Sequence, residues 1–492
     1  MRLLWILALL GWSLPAQARW LEAESPHFIV YSDGSDANLR GFVQQLEDFD
    51  SLLRDLTGMK REPSINKLRI YLVRGPDSLR EIAAVSNSIA GFYIAGPRGI
   101  AAFAIRRGES EALMLHEYAH HFMIQHFPFG YPAWYVEGFA EYLMTAKFSP
   151  TDIEVGRPGA GATSWLRYED WLPAETLLTK TVEGLDDRKI VMFYAQAWLA
   201  THYINRTPGK LTALREYLVA LGGGTPAADA FKTAFGTDFA DFQRELERYF
   251  KTQMTYTVYQ RQPTGAQPEI TLRPLPASAD DLMLSLADLR SGVGDKRDAR
   301  RLAQIRRAAA RYPEDVFAQR VLALGEAWIG DPAVAVAVAD KLIAHGAADG
   351  ETLFAKATAL AAQAKDAEAG TGRASLLQQA RQTFVLANRA SPDQATILFG
   401  YAQAQLASAP PNRNTLEVLL RARALAPQVA SIGMLTAYAA MHQKDFATAE
   451  ALLKPIAYNP HGGKAAKAAA AMLEGAREKR VVKPPEDYQD EE

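Results

Sequence analysis

Five residues of this chain, His116-Glu117-Tyr118-Ala119-His120, place two histidines four positions apart with a carboxylate beside the first. On a helix, residues four apart share one face about a turn from each other, so two imidazole nitrogens can reach one zinc ion while Glu117 flanks it. The run before them, Glu111-Ala112-Leu113-Met114-Leu115, is made of good helix formers that carry a helix into the motif. His121 and His126 follow closely, so four of the nine histidines crowd this stretch. A catalytic zinc site needs a third protein ligand and one open position for water. Glu137, in Trp134-Tyr135-Val136-Glu137-Gly138-Phe139-Ala140-Glu141, is the leading candidate. Zinc held by two neutral imidazoles and a carboxylate keeps a positive charge, which polarises a substrate carbonyl and lowers the pKa of a bound water to about 7. Glu117 is then placed to take the proton on attack and to give it to the leaving nitrogen on collapse.

These two segments together resemble the gluzincin metallopeptidases, especially the alanyl-aminopeptidase-like group and the relatives called peptidase MA-like. The resemblance implies that Glu137 is the third zinc ligand and that Glu141, four positions on, orients His116. Sixteen residues separate His120 from Glu137, two fewer than in the aminopeptidases, which implies a shorter connection and a different substrate cleft. In those enzymes a downstream tyrosine in a Tyr-x-x-Gly/Ala segment donates to the oxyanion. Phe193-Tyr194-Ala195-Gln196-Ala197-Trp198-Leu199 resembles that segment and gives the role to Tyr194. Tyr194 could instead pack its ring in the core of a helix over about 190–204, with His202 and Tyr203 as rival donors. Upstream, Gly99-Ile100-Ala101-Ala102-Phe103-Ala104-Ile105 suits a short strand leading into a turn. The strand at this place in gluzincins pairs with substrate backbone, so the resemblance implies an extended peptide lying along 99–105. The glycine-and-glutamate motif with which the aminopeptidases hold a free amine is not evident near 99–106, which favours an endopeptidase.

The elements that must position these residues can be read around them. Residues 19–255 suit an α+β peptidase domain, with strands at Phe28-Ile29-Val30-Tyr31 and Leu68-Arg69-Ile70-Tyr71-Leu72-Val73, a helix over 36–57, and mostly helical sequence from 109 to about 252. A last helix is expected over about 239–250, with Thr237 or Asp238 as its N-cap. Residues 256–280, rich in proline and polar side chains, are expected to be a linker. Beyond them, 281–476 is alanine-rich and reads as an all-α tetratricopeptide-like helical domain. Pro392, Pro427 and Pro460 recur at intervals of 35 and 33, and small residues such as Ala402, Ala404, Ala439 and Ala449 fit that class. Pro313 lies 79 residues before Pro392, room for two repeats plus an insertion, placed at 365–373. Residues 477–492, ending in an acidic run, are expected to be a disordered tail.

Met1-Arg2, the apolar run from Leu3 to Leu14, and Ala16-Gln17-Ala18 read as a secretory signal peptide over 1–18, which implies a periplasmic or secreted protein. That run is shorter than the about 20 residues needed to span a bilayer, and no membrane insertion is expected after signal removal. With no cysteine in the chain, thiol catalysis, disulfides and a cysteine-ligated zinc are excluded. The 54 basic and 56 acidic residues leave a net charge of −2, so nucleic acid is not an expected partner. A chain of 492 residues suits two or three domains. The expected function is an exported zinc-dependent peptidase with a peptide or protein substrate, whose repeats recruit a protein partner on their concave face, anchor the chain or cover the cleft. The rival reading is a non-catalytic envelope scaffold or assembly factor acting through the repeats, against which the intact Glu117 argues.

Overall fold

A computed structural model describes residues 20–86, 89–106, 109–260, 268–292, 298–368 and 370–485. The expected signal peptide lies outside the described residues. The chain is mostly helical around a small mixed sheet. In order, it runs β1 (Leu21–Glu24), β2 (Phe28–Ser32), α1 (Asp36–Thr57), β3 (Leu68–Val73), α2 (Pro76–Ile82), β4 (Gly91–Gly96), β5 (Gly99–Ile105), α3 (Glu109–His126) and α4 (Ala133–Leu143). Next come the short β6 (Lys147–Phe148) and β7 (Asp152–Val155), then α5 (Ala160–Tyr168), α6 (Ala174–Thr179), α7 (Asp187–Arg206), α8 (Lys210–Gly222), α9 (Ala227–Phe235) and α10 (Phe239–Phe250). Asp238 caps α10, its side chain accepting from the Asp241 amide.

The main sheet has the order β4-β5-β3-β2-β1-β9, where β9 is Thr271–Pro274. Its centre, β2-β3-β5, is parallel and its margins are antiparallel. Both faces are covered, which is why the central strands are apolar on both sides. Leu68, Ile70 and Leu72 of β3 join the core beneath α1 and α3. Tyr71 and Val73, alternating with them, join a second core with α2 and the first helix of the C-terminal part, α11 (Ala279–Ser291). On that second face Tyr31, Tyr71, Phe103 and Phe92 occupy consecutive register positions across four strands and stack at 4.8–5.2 Å.

Two sequence expectations change here. The strand at 99–105 forms, as β5, but β3 and β4 occupy both of its sides, so its backbone has no free edge for a peptide. And 256–280 does not run as a poorly packing connection. Residues Thr257–Gln260 form β8, which pairs with β7, while β9 adds to the sheet against β1. Proline is tolerated there because Pro274 ends a strand at the sheet's margin, where a missing N–H costs nothing. Residues 261–267 lie outside the described residues.

The rest of the chain is a series of helix pairs, each helix packing on the next. They are α11 with α12 (Asp298–Ala309), α13 (Val316–Ile329) with α14 (Pro332–Ala344), α15 (Gly350–Asp366) with α16 (Thr371–Ala390), α17 (Ala395–Leu406) with α18 (Arg413–Leu425), and α19 (Ala430–His442) with α20 (Phe446–Ala457), closed by α21 (Gly463–Arg477). Pro313, Pro392, Pro427 and Pro460 all fall in turns between one pair and the next. The extra length between Pro313 and Pro392 goes into α15 and α16, of 17 and 20 residues. In the tail, Val482 packs against Gly475 of α21, and 486–492 lie outside the described residues. No described helix is long and apolar enough to cross a membrane.

The first helix of each pair, α11, α13, α15, α17 and α19, contributes residues to a cavity shared with the sheet. Arg98 and Ile100 line a cavity of about 170 Å³ whose other walls are Arg290 of α11, Trp328 of α13, Glu351 of α15 and Ile432 of α19. Ala95 and Ile100 also pack against the core of α17–α19. That side of the helix pairs is thus used within the chain.

Candidate metal centre

Helix α3 carries His116 and His120 on one face. Its opposite face, with Tyr118 and Phe122, is buried in the core against α1 and the sheet, which fixes the rotation of the helix. A six-residue connection, 127–132, leads to α4, where Glu137 is fully buried. Helix α4 lies close upon α7 because residue 138 is glycine: an added Cβ would stand 2.5 Å from the Ala197 carbonyl oxygen and press on the Thr201 hydroxyl. That approach carries Tyr194, on α7, to the histidines.

The three sequence-predicted ligands come together. His120 Nε2 lies 3.0 Å from His116 Nε2, and Glu137 Oε2 lies 3.5 Å from the first and 3.8 Å from the second. Donors about 2.1 Å from a tetrahedral ion stand about 3.4 Å apart, so this triangle has the size a metal needs. Glu137 Oε2 is also a buried oxygen with no hydrogen-bond partner, an arrangement that is costly unless something positive sits before it. Among the described residues this is the one cluster of such side chains with metal-ligand proximity. Glu141, the residue expected to orient His116, places Oε1 3.4 Å from His116 Nδ1.

The electrostatics suit ligands. Burial, reinforced by the neighbouring His120, pushes the His116 imidazole down to about 3, so it stays neutral and able to bind a cation. Burial works against the charge on Glu137, yet His120 and His461 outweigh it and hold the carboxylate well below its usual range. Glu141 is pushed up to about 7 by burial and by Glu137. Glu117 is raised by burial.

Of the three candidate oxyanion donors, one reaches the site. The Tyr194 ring stands edge-on to His116 with centroids 6.5 Å apart, and burial together with Glu137, Glu141 and Glu117 raises its phenol well above the usual value. His202 is engaged elsewhere at both nitrogens, with the Thr255 carbonyl and the Tyr249 hydroxyl, each at 2.9 Å. Tyr203 donates to Glu245 at 2.8 Å.

Two features escaped the sequence reading. The Tyr118 hydroxyl donates to Asp50 of α1 at 2.7 Å, and Asp50 also accepts from Arg54 at 2.6 Å. Beside it, His27 Nδ1 lies 2.7 Å from Glu47, whose other oxygen accepts from Ser25. This buried polar group ties the histidine helix to α1 and β2. The second feature is His461, between α20 and α21, whose Nε2–H donates to Glu137 Oε1 at 2.6 Å. Its one sequence signal is that it stands beside Pro460, in a turn between pairs.

No protein-family model and no curated protein matches the chain. Among solved structures, it is similar to a thermophilic tetratricopeptide-repeat protein of Thermus thermophilus, at 20% identity and a TM-score of 0.35, over 40% of this chain and 99% of that one.

Proposed function

We propose that this chain is an exported zinc-dependent peptidase that cleaves peptide bonds with water, Glu117 acting as the general base. The observation that carries the reading is the triangle of His116, His120 and Glu137 donors around a buried carboxylate oxygen that lacks a partner. Two neutral imidazoles and one carboxylate form a donor set that suits zinc, whereas magnesium and calcium prefer oxygen throughout. When bound, zinc supplies Lewis-acid polarisation of the substrate carbonyl and makes a water acidic near neutral pH.

The chain's own residues supply the rest. Glu117, next to His116 on the same helix, accepts the proton of the attacking water and passes it to the leaving nitrogen. Tyr194 donates a hydrogen bond to the oxygen that becomes negative in the transition state. Glu141 holds the His116 ring in orientation. With β5 enclosed, the outer side of β4, against which no described strand pairs, is where an extended peptide backbone would lie.

The test is Glu117→Gln in the mature chain. It should retain zinc while peptide hydrolysis falls by roughly a hundredfold to ten-thousandfold, the range for removing a general base. Loss of zinc and activity together would show that Glu117 has another role, and an unchanged rate would refute the mechanism.

A further inference from the structure

Three contacts bring the last helix pairs against the two helices that carry the metal-binding side chains. His461 donates to Glu137 Oε1 at 2.6 Å across 324 residues of sequence. Three residues earlier, the Tyr458 ring lies over Gly130, where an added Cβ would come within 2.8 Å of it; Gly130 belongs to the connection between α3 and α4. One turn earlier in the repeats, Gln428 donates to Gln125 at 3.0 Å and to the His121 carbonyl at 3.3 Å, both on α3. The His461 turn is held in shape by its own Asn459, whose side chain accepts from the His461 amide at 3.0 Å.

We propose that His461 is a positioning residue of the metal centre, supplied by the repeat part, so that the centre is complete only while the last repeats are docked. The proposal rests on the reading of His116, His120 and Glu137 as metal ligands. A carboxylate can turn about its last bond and present either oxygen, or both, to a cation. A donor fixed on Oε1 removes that freedom and leaves Oε2, the oxygen facing both imidazoles, as the ligand. Because Glu137 lies on α4 and His461 in the turn between α20 and α21, the hydrogen bond joins the part that carries the ligands to the last helix pairs. Whatever tightens the docking must then tighten metal binding, and bound metal must tighten the docking by the same factor.

The test measures zinc affinity of the full mature chain by competition with a chromophoric chelator, for the unaltered protein, His461→Ala and His461→Gln. His461→Ala should weaken zinc binding by roughly 10- to 100-fold, the usual effect of removing a partner of a metal ligand. His461→Gln, whose amide can still donate, should recover part of it. Metal-free His461→Ala should unfold at a somewhat lower temperature than the unaltered chain, since it leaves a buried carboxylate oxygen without its donor, and beyond that offset the rise in Tm on adding zinc should shrink in His461→Ala. In the unaltered chain, zinc should slow amide hydrogen exchange across 458–477, and it should not do so in His461→Ala. Equal zinc affinity in the unaltered chain and His461→Ala would overturn the proposal while leaving the zinc reading intact. Failure of the unaltered chain to bind zinc would instead overturn the reading beneath it.

Discussion

His116 and His120 present their nitrogens to each other through local geometry: four residues on a helix fix two side chains to one face whatever the rest of the chain does. Glu137 and Glu141 were nameable from the resemblance, and the structure sets both against the histidines. The resemblance gave the donor role to Tyr194, but His202 and Tyr203 stayed as rivals because all three lie within ten residues on one helix. What separates them is rotation: His202 and Tyr203 point to partners at 255, 249 and 245, and Tyr194 to His116. If its hydroxyl serves the oxyanion, that bond strengthens only in the transition state. Tyr194→Phe should therefore lower kcat by roughly a hundredfold or more with little change in KM or zinc content. Steady-state kinetics with zinc analysis checks this, and a fully active variant would remove Tyr194 from the mechanism.

At the scale of elements, helix and strand positions followed from periodicity, but their neighbours did not. The run at 99–105 is a strand by any local rule, and nothing in it says that β4 will cover one side. Equally, the prolines of 256–280 signal a break while concealing a strand at the sheet margin. Gly138 shows the reverse case, a residue visible in the motif whose purpose appears only in the crossing of α4 over α7. Gly138→Ala should force that crossing apart and destabilise the chain by about 1–3 kcal/mol, with zinc affinity falling because Glu137 moves with its helix. Denaturant unfolding and zinc titration measure the two effects. The polar group beneath α3 gives a pH signature. Burial lowers the pKa of His27, but Glu47 and Asp50 outweigh it and raise the folded value above 6.5. His27 therefore stabilises fully below 6.5, and the benefit is lost as pH rises through the folded value. Burial raises Glu47, but His27 outweighs it and takes the folded value below 4.5, so its contribution is present above 4.5 and fades as pH falls. The stability gap between the unaltered chain and His27→Gln, measured by urea unfolding, should be widest between those two pH values and narrow as pH rises through the folded value of His27. A gap independent of pH would show that the His27–Glu47 pair is not charged.

The whole molecule is where sequence said least. A repeat period announces a stack of helix pairs, but not that its first helices meet the sheet at Arg98 and Ile100 or that its last turn reaches Glu137. Contacts across some 300 residues leave no local pattern, since each partner is chosen by the packing of everything between. Because the last helix pairs touch the candidate metal centre, the full chain is the right object for the decisive measurement. That measurement is hydrolysis of a mixed peptide library, read by mass spectrometry, before and after removal of metal with a chelator and again after adding one equivalent of zinc per chain. The expected result is cleavage that disappears with the metal and returns with the single equivalent. Cleavage that continues undiminished after the metal is gone, or its absence in the zinc-loaded chain, would contradict the account.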